Sequence, residues 1–322
     1  MLKKWLWILG LCQALAPGVV FSQPATYPSK PVKFVVPITP GGSNDVLARM
    51  IAQKLSDNWR QPVVVENRPG GGLNLGSDLV AKSQPDGYTW LLGVSTIFVV
   101  NPHMGKMPFD VFKDLIPITT VAVVPLVLAV NANLPVKNVA ELVEYAKKNP
   151  SALNYGSAGN GSPQQLAAEM LNYVAGIKMQ HVPYKGAVPA ITDLLGGRIQ
   201  VFIGGVNSLL PHVKDGKLRL LAGAGGKRFA AFPDLPAISE TLPGVALDVW
   251  LGVFMPAGVP KEIVTKVNAD IGLVMQMPEV RSNLAAQGIE PTTSTPEELV
   301  QIIRDEHGRW GKVIRDAKIK AD

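Results

Sequence analysis

Cysteine and histidine are scarce in this sequence, and their scarcity excludes several kinds of chemistry. The one cysteine, Cys12, lies in an N-terminal apolar stretch, so the rest of the chain can form no disulfide and offers no thiol nucleophile. The four histidines, His103, His181, His212 and His307, have no partner at metal-ligand spacing. We therefore expect no metal site, no cofactor and no thiol-dependent catalysis.

Charge is also limited. Charged residues make up 17% of the chain, the formal net charge is +6, and no Lys/Arg run is interleaved with aromatic residues. A mild positive excess favours encounter with anions but does not indicate a nucleic-acid binder. The sequence contains no Gly-x-Ser-x-Gly nucleophile elbow, and its glycine clusters lack the spacing of phosphate or dinucleotide loops. These absences argue against an enzyme.

The N-terminus has the pattern of an export signal. Lys3 and Lys4 precede an apolar stretch at Trp5–Leu15, and the small residue Ser22 follows. We predict a cleaved signal peptide at residues 1–22. A cut after Ala16 and an uncleaved anchor helix are the alternatives, but the apolar stretch is short for a membrane span.

Beyond this segment, strand-like and helix-like segments alternate. Short runs rich in β-branched residues at Val32–Val36, Val63–Val65 and Tyr88–Val94 predict buried strands. Apolar residues at helical spacing in Asp45–Leu55 and Leu75–Lys82 predict helices between them. This order is typical of an α/β fold with a mostly parallel sheet flanked by helices.

Two extended segments, Ile118–Val130 and Asp248–Phe254, bracket a middle α/β unit. They predict one lobe made of residues 23–123 plus 250–322, a second lobe made of residues 124–249, and a cleft between the two. A single continuous α/β domain is the alternative.

Two glycine-rich loops, Pro37–Asp45 and Tyr155–Gln165, each leave a predicted strand and enter a predicted helix. Glycine lets the backbone approach a ligand closely, and the first amides of a helix form a site for a negative group. If each lobe offers one loop to the cleft, two helix N-termini converge on one carboxylate. Asp45 and Arg49, four residues apart, are expected to be an ion pair of the scaffold.

Several motifs resemble those of the Bug (tripartite tricarboxylate transporter) periplasmic substrate-binding proteins, in order along the chain. They are Pro37-x-x-Pro40-Gly41-Gly42-x-x-Asp45, Pro62–Gly70, Pro85–Thr89, Gly156–Ser162, His181–Gly186, Asp193–Gly197 and Pro256–Pro260.

The resemblance implies a two-lobed, type II-like periplasmic binding protein, monomeric, that captures a small organic carboxylate for membrane carrier subunits. A sensory receptor without a transport partner is one alternative. A secreted α/β hydrolase or isomerase is another, and it needs a nucleophile–base pair that the sequence does not reveal. The implied ligand-binding residues are Thr39, Gly41, Gly42 and Ser43 from the first loop, Ser157, Ala158, Gly159 and Ser162 from the second, and Gly204 and Gly205 after a later strand.

The sequence departs from the pattern of this family at two single residues and one residue pair. Ile38 stands where an aromatic residue is common, Gln165 where histidine is usual, and Gly204-Gly205 where many members have Asp-Asn. Without those two polar side chains, we expect a ligand whose far end is not a strongly bound amino group. We also expect Phe98, Tyr184 and Trp250 to pack in the core, with a position on the wall of the ligand pocket as the alternative.

Overall fold

The computed structural model describes residues 27–229 and 231–316, so the predicted signal peptide and Cys12 lie outside the described residues. The strands, in chain order, are β1 (Val32–Val36), β2 (Val63–Asn67), β3 (Thr89–Val94), β4 (Leu115–Val124), β5 (Leu126–Asn131), β6 (Asn154–Ser157), β7 (Gln180–Pro183), β8 (Val201–Gly205), β9 (Leu218–Gly223), β10 (Val249–Pro256) and β11 (Glu290–Pro291).

Helices connect these strands. They are α1 (Ser43–Trp59), α2 (Asn74–Ala81), α3 (Ser95–Val99), α4 (Asn101–Met104), α5 (Val139–Lys148), α6 (Pro163–Ala175), α7 (Ala187–Leu195), α8 (Val206–Lys214), α9 (Ile238–Thr241), α10 (Lys261–Gln276), α11 (Pro278–Ala286) and α12 (Pro296–Asp316). No described helix combines the length and the apolar character that crossing a bilayer requires.

The strands form two sheets, each with its own helices. The six-stranded sheet has the order β11-β4-β10-β3-β1-β2, and the five-stranded sheet has the order β7-β6-β8-β5-β9. We call the first sheet with its helices lobe 1 and the second sheet with its helices lobe 2. The two sheets confirm the predicted two-lobed α/β architecture, while the predicted lobe boundaries in the sequence remain predictions.

Both sheets are mixed rather than mostly parallel. Strand β1 runs parallel to β2 and β3, and β6 runs parallel to β7 and β8, as strand–helix–strand units require. The antiparallel pairs involve β4, β5 and β10. Strands β4 and β5 are separated only by Pro125, so the chain passes directly from one sheet into the other at this point. The antiparallel pairs therefore arise where the chain crosses between lobes.

Local sequence signals set the helix ends. Asn138 caps α5 by accepting a hydrogen bond from the Glu141 amide at 2.9 Å. Thr295 caps α12 in the same way, with the Glu298 amide at 3.1 Å. The short helices α3 and α4 and the helix α11 were not predicted, since each follows another element without a linker that marks its start.

Candidate ligand-binding cleft

A cavity of about 760 Å³ lies between the lobes, a size typical of small-molecule sites. Lobe 1 lines it with residues 37–39, 42, 44, 69–74, 94, 101 and 104–107. Lobe 2 contributes residues 126, 158–164, 183–188, 205 and 208, and Val124 and Val249 lie on strands β4 and β10, where the chain crosses between the lobes. Both predicted glycine-rich loops therefore reach the same cavity.

The first loop ends at Gly42, the N-cap of α1, and no described side chain caps this helix. The amides of Gly42 and Asn44, residues that line the cavity, donate to no acceptor within residues 27–229 and 231–316. Unpaired amides at a helix start carry the positive end of the helix dipole. This end of α1 can therefore hold an anion.

Asp45 holds the first loop in place. Its buried carboxylate accepts hydrogen bonds from the Gly41 amide at 3.0 Å, from Asn67 Nδ2 at 2.9 Å and from Arg49 Nε at 3.0 Å. Burial acts to raise the pKa of Asp45, but the hydrogen bonds from Arg49, Gly41 and Asn67 outweigh it and hold that pKa below its ordinary value. Asp45 and Arg49 therefore belong to the scaffold, as predicted.

The second loop, Tyr155–Gln165, is held in shape by hydrogen bonds between its own residues. Ser162 caps α6, Pro163 is the first helical residue, and the Ser162 hydroxyl accepts from the Gln165 amide at 3.5 Å. Gln165 does not complete a capping box. Its Oε1 atom instead accepts from the Gly161 amide at 2.7 Å. The Ala158 amide, by contrast, donates to no acceptor in the described part of the chain, so this cavity-lining residue can donate to a ligand.

A serine–histidine contact lies beneath the second loop. Ser157 Oγ is 2.7 Å from His181 Nε2, and the same hydroxyl accepts from the Gly159 amide at 3.1 Å. This is the nucleophile–base geometry that the hydrolase alternative requires and that the sequence did not reveal. Ser157, however, is fully buried and does not line the cavity. Because no substrate can reach this hydroxyl, its role is to shape the loop.

Nine of the ten predicted ligand-binding residues divide into two groups by position. Those that line the cavity are Thr39, Gly42, Ala158, Gly159, Ser162 and Gly205. Three do not line it: Gly41 bonds to Asp45, Ser157 bonds to His181, and a Cβ on Gly204 would overlap the Phe202 ring. Ser43 is the first residue of α1, and its side chain is not among the side chains that the structure describes.

A third segment of the wall was missed at the sequence level. The Gly70–Asn74 segment of lobe 1 lines the cavity, and buried Asn101 supports it. Asn101 Nδ2 donates to the Gly72 carbonyl at 2.7 Å and to Asn74 Oδ1 at 2.9 Å. The glycine run was a visible signal, but sequence does not show that Asn101, 29 residues beyond Gly72, packs on it.

The three aromatic residues expected in the core behave differently. Phe98 and Trp250 are buried and stack with ring centroids 6.1 Å apart, which confirms the expectation. The expectation is wrong for Tyr184, which lines the cavity and is only partly buried. Its hydroxyl donates to Asp193 Oδ2 at 2.8 Å, so this polar end holds the ring at the surface.

Three of the described glycines that line the cavity, Gly72, Gly161 and Gly186, lie against the opposite lobe. A Cβ atom on any of these glycines would meet the other lobe. On Gly161 it would lie 2.8 Å from Asn101 Oδ1. On Gly72 it would overlap the Asn160 carbonyl oxygen, and on Gly186 it would overlap Thr39 Oγ1. Contacts this close leave no room for a side chain. The two lobes are therefore closed over the cavity.

Two α/β lobes that close over a glycine-lined cavity define the class of two-lobed solute-binding receptors. The sequence model of the tripartite tricarboxylate transporter family receptors matches residues 47–319, and the chain therefore belongs to this family. This finding confirms the resemblance seen in the sequence motifs. Members of the family and the solved relatives are solute-binding receptors rather than enzymes.

Individual relatives agree with this assignment. Protein BugT of Bordetella pertussis is 37% identical over 300 residues, which cover 92% of this chain and 92% of BugT. The structure of R. palustris Rpa4515 with adipate superposes with a TM-score of 0.87 at 35% identity, covering 91% of this chain and 99% of that one. MatC from Rhodopseudomonas palustris with bound malate gives a TM-score of 0.84 at 29% identity, covering 89% and 100%.

Proposed function

We propose that this chain captures a small organic carboxylate in the periplasm and delivers it, as a monomer, to the membrane carrier subunits of a tripartite tricarboxylate transporter. The observation that carries the proposal is the convergence of the α1 and α6 loops on one interlobe cavity. The family assignment and the acids named with the solved relatives, adipate and malate, support it.

In this proposal the carboxylate lies between the two loops. The amides of Gly42 and Asn44 in lobe 1 and of Ala158 in lobe 2 donate to its oxygens, joined by the Thr39 hydroxyl. Hydrogen bonds to a charged group contribute about 1.5–3 kcal/mol each, and a helix N-terminus adds about 0.3–1 kcal/mol. Gly41, Ser157 and Gly159 contribute by fixing the loops through the hydrogen bonds described above.

Delivery depends on the shape of the closed form. In the proposed arrangement residues 23–123 plus 250–322 form one lobe and residues 124–249 the other, and signal cleavage after Ser22 releases the receptor. A ligand that contacts both loops binds the closed form more tightly than the open one and so shifts the population toward closure. The carrier then recognises the closed form. A receptor that binds its ligand but captures no carrier subunit in a pull-down would be sensory instead.

Gly42→Asp with Gly42→Asn as its matched control tests the site. Gly42 has φ −81° and ψ 168°, and a Cβ there would lie 3.4 Å from Ile38 Cδ1, so both side chains fit. Both are good N-caps that accept hydrogen bonds from the following amides, but only Asp adds a negative charge. We expect Gly42→Asn to weaken carboxylate binding about tenfold, and Gly42→Asp about 100-fold or more.

The measurement is isothermal titration calorimetry against a panel of carboxylates, after a thermal-shift screen has identified the acids that bind. Both variants should melt at or above the wild-type temperature without ligand, because each gains a cap. If Gly42→Asp binds the best acid as tightly as the wild type does, the anion is not held at the start of α1 and the proposal fails.

A further inference from the structure

The charge on the cavity wall is of one sign. Among the described lining residues, Lys106 and Lys185 carry a formal charge, and none is Asp, Glu or Arg. Lys106 follows α4 in lobe 1, and Lys185 lies between β7 and α7 in lobe 2. Neither forms an ion pair within the described ranges 27–229 and 231–316. Each lobe thus brings one uncompensated cation to the cleft.

These lysines are not needed for the head carboxylate. In the proposed function, which this inference extends, backbone amides of the two loops hold that group. The rest of the wall is largely apolar, with Leu73, Met104, Met107, Val124, Leu126 and Val249 among its members. A ligand that is complementary to this wall has an anionic head group, an apolar middle and a second anionic group that the lysines can bind.

We propose that Lys106 and Lys185 bind the second anionic group of the ligand, and that the receptor selects dicarboxylates with an apolar spacer over monocarboxylates and α-amino acids. An ammonium group finds no carboxylate on the described wall, and the two lysines repel it. Because the lysines come from opposite lobes, a dianion between them also favours closure.

Matched acids isolate the contribution of the second charge. Succinate, glutarate and adipate are titrated beside butyrate, valerate and hexanoate, which have the same chain lengths and one carboxylate fewer. Glutamate is titrated as well, because it adds an ammonium group to glutarate. The wild type is compared with the double variant Lys106→Gln/Lys185→Gln. The control is Lys214→Gln/Lys217→Gln, which removes the same charge from two exposed lysines outside the cavity wall.

We expect the wild type to bind its best diacid at least about tenfold more tightly than the matched monoacid and than the matched amino acid. The double variant should lose that preference by weakening the diacid alone, and the control should keep it. Higher salt should reduce the preference in the wild type, because it screens the lysines.

The outcomes separate this inference from the proposed function. Equal binding of diacids and monoacids by the wild type overturns the inference and leaves carboxylate capture intact. So does a diacid preference that survives in the double variant, or tighter binding of glutamate than of glutarate. If the wild type binds none of these acids and no other carboxylate of the panel, the proposed function itself fails.

Discussion

The glycine contacts between the lobes allow a test of closure with a neighbouring control. Gly72 and Gly71 have nearly the same left-handed backbone, with φ values of +61° and +57°. A Cβ on Gly72 would overlap the Asn160 carbonyl oxygen of lobe 2, whereas a Cβ on Gly71 would have its nearest neighbour, Asn74 Cβ, 4.0 Å away. Alanine at either position costs about 1–2 kcal/mol in backbone strain. Only Gly72→Ala also obstructs closure.

The size of the effect follows from the overlap. Asn160 O is a backbone atom, so restoring an ordinary contact requires the lobes to separate by roughly 1 Å at this point. Overpacking of this kind costs about 1–3 kcal/mol. The cost falls on the closed form that binds ligand, so Gly72→Ala should weaken ligand binding by about five- to 150-fold relative to Gly71→Ala.

Calorimetry with the best acid of the panel measures the difference in binding. Thermal denaturation without ligand provides the control, because both variants carry the same strain inside lobe 1 and should melt together. Equal ligand affinities for Gly71→Ala and Gly72→Ala would refute the reasoning, since they would mean that the Gly72–Asn160 contact is absent from the ligand-bound protein.

Two further predictions concern groups outside the direct contacts. Ser157→Ala should lower the free energy of unfolding by about 1–3 kcal/mol, as measured by urea denaturation, because the variant loses the hydroxyl that contacts His181 Nε2 and the Gly159 amide. Unchanged stability would show that the Ser157–His181 contact does not shape the loop. Burial raises the pKa of Glu306 above its ordinary value of 4.5, although Trp250 Nε1 donates to it at 2.9 Å. The folded state therefore holds this proton more tightly than the unfolded state, and stability is lost as pH rises from 4.5 through the raised pKa. Glu306→Gln keeps an acceptor for Trp250, so its stability relative to the wild type should rise as pH increases from 4.5 through the raised pKa, as measured by urea denaturation; a constant difference would contradict the assignment.

Local signals predicted much of this fold. The strand–helix order of the first lobe and the extended segments near Ile118–Val130 and Asp248–Phe254 each depend on residues that are neighbours in the sequence. The mixed character of the sheets did not follow from such signals, because the direction in which β10 returns between β3 and β4 is set by tertiary pairing.

The loops of the candidate site could be predicted from the sequence, but the contacts that support them could not. Glycine-rich turns before helices indicated the two loops that we propose hold the carboxylate, and both loops reach one cavity. The supporting contacts were not predictable, because they join residues distant in sequence. The closing contact between Gly186 and Thr39 is one example, and the support of the Gly72 carbonyl by Asn101 is another. Nothing local to either segment marks such a contact.

A crystal structure of the protein with its best carboxylate tests the central claim most directly. We predict one carboxylate of the ligand inside the interlobe cavity, with its oxygens about 2.7–2.9 Å from the amides of Gly42 or Asn44 on one side and Ala158 on the other. A ligand held only by side chains at the rim of the cleft, with its carboxylates away from the starts of α1 and α6, would contradict it.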